Sequence, residues 1–233
     1  MRLALWRQIN HGRKFKLRFL QDPLALLYFV PIFLLTITVH EVAHAYVAWR
    51  LGDPTARAMG RITLNPLRHL DPFGFIMLII LGFGWAKPVP INPRNFRNEK
   101  SGMAISALAG PASNILMCIA GVIILNLIVL VAHAADIYNM VIIAAFTFFY
   151  QFAMLNVWFA TFNMIPIPPL DGSRIVNYFL PPRMSYYYTY IERYGFIILM
   201  LLMYTGLLFG PLSGIANGIF RWILVSVGWI FGG

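Results

Sequence analysis

Long uncharged stretches are the feature that most constrains the fold of this chain. Residues 103–131 contain no Asp, Glu, Lys or Arg. An α-helix rises about 1.5 Å per residue, so about twenty apolar residues cross the ~30 Å hydrocarbon core of a bilayer. Lipid offers no partner for backbone N–H and C=O groups, which favours helices because they satisfy these groups internally. The stretch therefore predicts a membrane-spanning helix.

Five further hydrophobic stretches follow the same logic. They lie at about 24–51, 73–86, 141–165, 194–209 and 215–231. The chain is 60% hydrophobic and 11% charged, whereas soluble domains carry about 25% charged residues. The stretch at 73–86 is short and interrupted by Gly82 and Gly84, which suits a re-entrant segment. We predict an all-α polytopic membrane protein with about six hydrophobic segments.

Two connecting regions have patterns of their own. Residues 60–66 read Gly-Arg-Ile-Thr-Leu-Asn-Pro, an alternating run that predicts a β-like loop ended by proline. Residues 87–96 are rich in proline, which predicts an extended or turn-like course. Such a segment either packs as a connection or pairs with an extended peptide by strand addition.

The domain organisation and the partners follow from length and charge. We expect one membrane-embedded domain over 1–233, with a basic arm at 1–22, a core at 24–175 and C-terminal helices at 185–233. The net charge is +10. Lys and Arg at the ends of membrane segments contact lipid headgroups, and no nucleic-acid-binding signature accompanies them. We therefore expect the lipid bilayer, and no nucleic acid, as a partner.

The first hydrophobic stretch contains His40-Glu41-Val42-Ala43-His44. Histidines four residues apart share one face of a helix, so His40 and His44 can reach one zinc ion. Glu41 between them can act as general base on a metal-bound water. Ionisable groups are costly in lipid and usually functional there. The motif therefore predicts hydrolysis within a membrane.

A catalytic zinc usually has three protein ligands, and Asp171 is the best third candidate. It lies in Asn-Met-Ile-Pro-Ile-Pro-Pro-Leu-Asp-Gly at 163–172. The prolines should end the fourth helix after about Ile165 and leave an extended segment that presents Asp171 before a turn at Gly172. The alternative role for Asp171 is to cap a helix that begins near Ser173.

Four separated pieces of sequence together resemble one known family. They are the motif at 40–44, Gly-Pro-Ala-Ser-Asn at 110–114, the segment at 163–172, and Leu-Gly-Asp-Pro-Thr at 51–55 with Gly-Trp-Ala-Lys-Pro at 84–88. They span about residues 36–175 and resemble the site-2 protease family of intramembrane zinc metalloproteases, in its small form without PDZ or nucleotide-sensing domains. The resemblance implies that the chain cleaves transmembrane segments of protein substrates, with one Zn²⁺ bound by His40, His44 and Asp171.

Two asparagines match the family motifs and are further catalytic candidates. Amide donors of Asn114 and Asn163 would stabilise the oxyanion or hold the substrate backbone. The alternative for each is a hydrogen bond between helices. His69 is more readily interpreted as a loop histidine than as a ligand. The alternative function is a non-proteolytic metal transporter or sensor that uses the same ligands, but only a hydrolase needs Glu41 as a base.

The ligands must lie at one depth, which constrains the topology. The turn at 133–139 has no Lys or Arg, so we expect it on the non-cytoplasmic side. Asp171 then lies near the cytoplasmic face, together with the Arg50 end of the first segment. This placement puts the basic arm on the opposite side, against the positive-inside rule. We give the zinc geometry more weight, because a ligand cannot lie a bilayer's thickness from its metal.

Overall fold

A computed structural model describes residues 23–81, 84–137 and 139–231, and the basic arm at 1–22 lies outside them. The described part is all-α, as predicted, with eight α-helices and two short 3-10 helices. The α-helices are α1 (Pro23–Arg50), α2 (Thr55–Ala58), α3 (Pro72–Leu81), α4 (Glu99–Ala135), α5 (Met140–Asn163), α6 (Asp171–Phe179), α7 (Pro182–Thr205) and α8 (Phe209–Ile230). The 3-10 helices are Pro66–Arg68 and Pro93–Asn95.

Four of the described helices are long and apolar enough to cross a bilayer. These candidate spans are Leu26–Arg50, Glu99–Ala135, Met140–Asn163 and Phe209–Ile230. The predicted stretch at 73–86 overlaps α3, which has only ten residues. The stretch at 194–209 falls largely in α7, whose first half carries tyrosines and charged side chains that lower its hydropathy. The six predicted stretches therefore yield four candidate spans in the described part of the chain.

The connecting loops are less β-like than the sequence suggests. Residues 60–66 form bends that lead into a 3-10 helix, whose start is capped by the Asn65 side chain accepting from the Leu67 N–H. One isolated antiparallel bridge joins Leu70 to Ala86, and the described residues form no strand. The prolines within 87–96 have no N–H to donate, which prevents a regular ladder.

Helix α4 is central, because α1, α5, α6 and α8 all pack against it. Small residues allow close approach: a Cβ at Gly121 would lie 3.0 Å from the Phe152 ring on α5. A core cluster that includes Cys118, Val157 and Phe220 joins α4, α5 and α8. This packing brings the second half of α1, the first half of α4 and the loop after α5 together.

Candidate metal centre

Three side chains from two helices form one buried group. The Nε2 atoms of His40 and His44, both on α1, each lie 3.2 Å from Oδ2 of Asp171 at the start of α6. The two Nε2 atoms are 2.9 Å apart. The structure therefore brings the three predicted ligands within reach of a single ion.

A chain of hydrogen bonds sets the tautomer of His40. The Nδ2 of Asn156 donates to the Phe152 carbonyl at 2.9 Å, so its Oδ1 is free to accept from Asn114 Nδ2, also at 2.9 Å. The Oδ1 of Asn114 then lies 2.6 Å from Nδ1 of His40. An amide oxygen only accepts, so His40 carries its proton on Nδ1 and directs the lone pair of Nε2 at the site.

His44 is held in the same tautomer by a different partner. Its Nδ1 donates to the carbonyl oxygen of Ser106 on α4 at 2.7 Å. This contact leaves the lone pair of its Nε2 facing the site. Metal-binding histidines usually donate their second ring N–H to such an acceptor, which orients the ring and strengthens the ligand.

The donor set fits a zinc ion. With both histidines protonated on Nδ1, neither Nε2 has a hydrogen to donate, and Oδ2 of Asp171 is buried without a hydrogen-bond partner. Lone pairs held about 3 Å apart repel one another unless a cation lies between them. Two imidazole nitrogens and one carboxylate oxygen are a typical catalytic zinc set, which leaves a fourth position open.

A glycine leaves the space beside these donors. A Cβ at Gly110 would lie 2.4 Å from Nε2 of His44 and 2.5 Å from Cε1 of His40. Both distances are below van der Waals contact, so no side chain fits at position 110. The close approach of α4 to α1 at this point is what allows the three ligands to share one ion.

Asp171 reaches the site because α5 stops early. Helix α5 ends at Asn163, two residues before the predicted end, and α6 begins at Asp171 itself. The prediction of a turn at Gly172 is wrong, because Gly172 lies in the first turn of α6, where a Cβ would meet the Met164 carbonyl oxygen at 2.3 Å. The alternative of a cap for a helix at Ser173 is also wrong, since Leu170 is the N-cap residue.

Glu41 is held by a backbone group that the sequence reasoning missed. Its Oε2 accepts the N–H of Val89 at 2.8 Å, and both residues are buried. Pro88 and Pro90 have no N–H, so Val89 is the only backbone donor between Lys87 and Ile91. This alternation of prolines is the signal in the sequence that could have identified it.

The remaining candidates lie outside the group of three possible ligands. Asn163 is half-buried and its Nδ2 donates to the Phe159 carbonyl at 3.0 Å. Asn114 lies behind His40, which favours orienting that ring over contact with substrate. His69 is buried in the loop before α3, with Nε2 2.9 Å from the Thr63 carbonyl, outside the group of three possible ligands.

Comparison with known families decides the class of protein. The model of peptidase family M50 matches residues 28–202, which is most of the chain. The chain belongs to peptidase family M50. This is the site-2 protease family, so the predictions of a membrane-embedded zinc metalloprotease and of a zinc cofactor are confirmed.

Curated relatives agree with this assignment. The chain is 43% identical to "Putative zinc metalloprotease YwhC" of Bacillus subtilis, over 82% of this chain and 86% of that protein. It is 28% identical to "Putative zinc metalloprotease Rip2" of Mycolicibacterium smegmatis, over 85% of this chain and 70% of that protein. No solved structure shows significant similarity to it.

Removing the partner of His40 should weaken zinc binding by this M50 peptidase. We expect Asn114→Ala to lower zinc affinity about tenfold to a hundredfold, because the His40 ring loses the acceptor that fixes its tautomer. Zinc competition with a chelating dye measures the change. Asn126→Ala is the control, since Asn126 lies on the same helix and its Nδ2 donates to the Val122 carbonyl. Equal affinities for both variants would contradict the role of Asn114.

Proposed function

We propose that the chain cleaves peptide bonds within transmembrane segments of membrane-protein substrates. The observation that carries this proposal is the position of His40, Glu41 and His44. All three are buried, and they lie on a helix that is long and apolar enough to span the membrane. A site in this position lies within reach of a peptide held in the bilayer, which favours membrane-embedded substrates.

The roles of the side chains follow from their contacts. His40, His44 and Asp171 would hold the zinc ion, which would supply Lewis-acid activation of a water molecule and of the scissile carbonyl. The N–H of Val89 holds Oε2 of Glu41, so Oε1 is the atom that takes the proton of that water and later delivers it to the leaving amine. A metal transporter or sensor has no use for a carboxylate held in this way.

The two asparagines receive different roles in this proposal. Asn114 orients His40 and supports zinc binding without touching the substrate. Asn163 lies at the last residue of α5, eight positions before Asp171, and only one of its two amide hydrogens bonds the Phe159 carbonyl. The other hydrogen is the donor that we assign to the oxyanion or to the substrate backbone.

The active site is assigned to the cytoplasmic side of the membrane. His44 is near the end of α1, its partner Ser106 is near the start of α4, and Asp171 follows the end of α5, so these helix ends lie together. The connections between α1 and α4 are rich in basic residues, which favours the cytoplasm. These residues are Arg57, Arg61, Arg68, Lys87, Arg94 and Arg97, with Arg50 and Lys100 at the adjoining helix ends. Helix α3 is then a re-entrant element on that side.

Purified protein and a panel of transmembrane peptides test this function. We expect cleavage in proteoliposomes that a chelator stops and added zinc restores. Placing two glycines near the cut site should raise the rate about tenfold, because each glycine weakens a helix by about 1 kcal/mol. A soluble peptide with the same cut site is the control. Equal cleavage of the soluble peptide would contradict the membrane specificity, and zinc-independent cleavage would contradict the mechanism.

A further inference from the structure

The loops that follow α1 and α2 hold the two ends of the segment that contacts Glu41. This Val89 segment comprises residues 87–92. At its first end, Nη2 of Arg61 donates to the Lys87 carbonyl at 2.7 Å. At its last end, Oδ2 of Asp53 accepts the N–H of Asn92 at 2.8 Å. Asp53 and Arg61 are 0% and 6% exposed, so two buried charged groups bond the segment on either side of Val89.

Asp53 is itself fixed to the helix that carries the general base. Its N–H donates to the Ala48 carbonyl in the last turn of α1 at 2.9 Å. Its Oδ1 accepts from Nδ2 of Asn95 at 2.7 Å and from the N–H of Thr55 at 3.1 Å. Burial raises the pKa of Asp53, but the hydrogen bonds from Thr55, Asn95 and Asn92 outweigh it and lower that pKa below its ordinary value. Asp53 is therefore a carboxylate acceptor at neutral pH.

The Val89 segment has a restricted backbone, so contacts that hold its two ends also determine the position of Val89. Pro88 and Pro90 restrict the backbone on either side of Val89. The Val89 side chain packs against Ala45 of α1 and Ala56 of α2. With both ends and the side chain held, the N–H of Val89 has one position, 2.8 Å from Oε2 of Glu41.

We propose that Asp53 and Arg61 are positioning residues for the general base. They hold the Val89 segment so that its one backbone donor fixes the Glu41 carboxylate in its reactive orientation. This inference rests on the proposed role of Glu41 in proton transfer. A displacement of a catalytic group by about 1 Å can lower a rate about a hundredfold, so contacts at a distance from the reacting atoms can have large effects.

Asp53→Asn tests the proposal with almost no change of shape. The amide oxygen can still accept from Thr55 and Asn95, but the amide nitrogen then faces the N–H of Asn92, donor against donor. We expect kcat to fall about tenfold to a hundredfold, with KM within about twofold. The variant should retain one zinc per chain. Hydrogen exchange of the Val89 amide, followed by mass spectrometry of a fragment that ends at Ile91 and so excludes the Asn92 amide, should become about tenfold faster or more.

Asp71→Asn is the matched control. Asp71 also accepts a backbone N–H, that of Gly74 in the first turn of α3 at 2.7 Å, and asparagine caps a helix start as well as aspartate does. Its kcat, zinc content and Val89 exchange should equal those of the wild type. Arg61→Gln provides a second test, at the other end of the Val89 segment. If Asp53→Asn does not fold, this variant alone tests the positioning role. We expect the same fall in kcat and the same faster exchange.

The outcomes separate this inference from the proposed function. Wild-type Val89 exchange in both variants would overturn the positioning role, and so would wild-type kcat in a folded variant. A loss of zinc that matches the loss of turnover would also overturn it, because the effect would then be structural. Faster Val89 exchange in the variants is expected even if the wild type cleaves no transmembrane peptide. In that case the proposed function would be wrong, but Asp53 and Arg61 would still be shown to position the Val89 segment.

Discussion

Gly110→Ala is expected to abolish both zinc binding and proteolysis. The added methyl would lie 2.4 Å from Nε2 of His44, and α4 cannot retreat because α1, α5, α6 and α8 all pack on it. Alanine favours a helix over glycine by about 1 kcal/mol, so helix α4 itself should be no less stable. Metal analysis and the transmembrane-peptide assay should both show less than about a hundredth of wild-type levels.

Gly218→Ala is the control for this substitution. Gly218 is an exposed helical glycine on α8, and a Cβ there would meet nothing within 4 Å. The control should bind zinc and cleave peptide as the wild type does. One zinc per chain in folded Gly110→Ala would show that the ion does not lie beside this glycine, and the assignment of His40 and His44 as joint ligands would fail.

The three candidate ligands could be selected from the sequence because their chemistry is visible there. The spacing of His40 and His44 places both on one helical face, and the prolines after Asn163 end a helix whatever its surroundings. The prediction of Asp171 as a ligand also required the resemblance to the family, since its sequence position alone left a helix-capping role open. In the structure, packing directs the Asp171 carboxylate at the two histidines, which supports the ligand role.

The contacts that support the ligands could not be predicted in the same way. Ser106 acts through its backbone carbonyl oxygen and Val89 through its backbone N–H. Every residue except proline has both groups, so the residue type gives no signal. Only the path of the chain decides which backbone group faces which side chain. The prediction of a β-like loop at 60–66 was not confirmed for a related reason. Hydrophobic alternation indicates a strand only where a neighbouring strand can pair with it.

Glu41→Gln is expected to retain zinc and lose cleavage. The amide oxygen of glutamine can still accept the N–H of Val89, so the Val89 segment should stay in place. An amide cannot take a proton from water, which should lower turnover about a hundredfold to ten-thousandfold. Metal analysis, Val89 exchange and the transmembrane-peptide assay on one preparation measure all three properties.

Glu192→Gln provides the control for a lost carboxylate, because Glu192 is exposed on α7. It should cleave peptide at the wild-type rate. The contrast between the two variants separates a hydrolase from a transporter or sensor, because the latter needs the ligands but no base beside them. Equal cleavage by Glu41→Gln and the wild type would mean that another group accepts the proton. The hydrogen bond between Val89 and Glu41 would then serve only to pack the loop on α1.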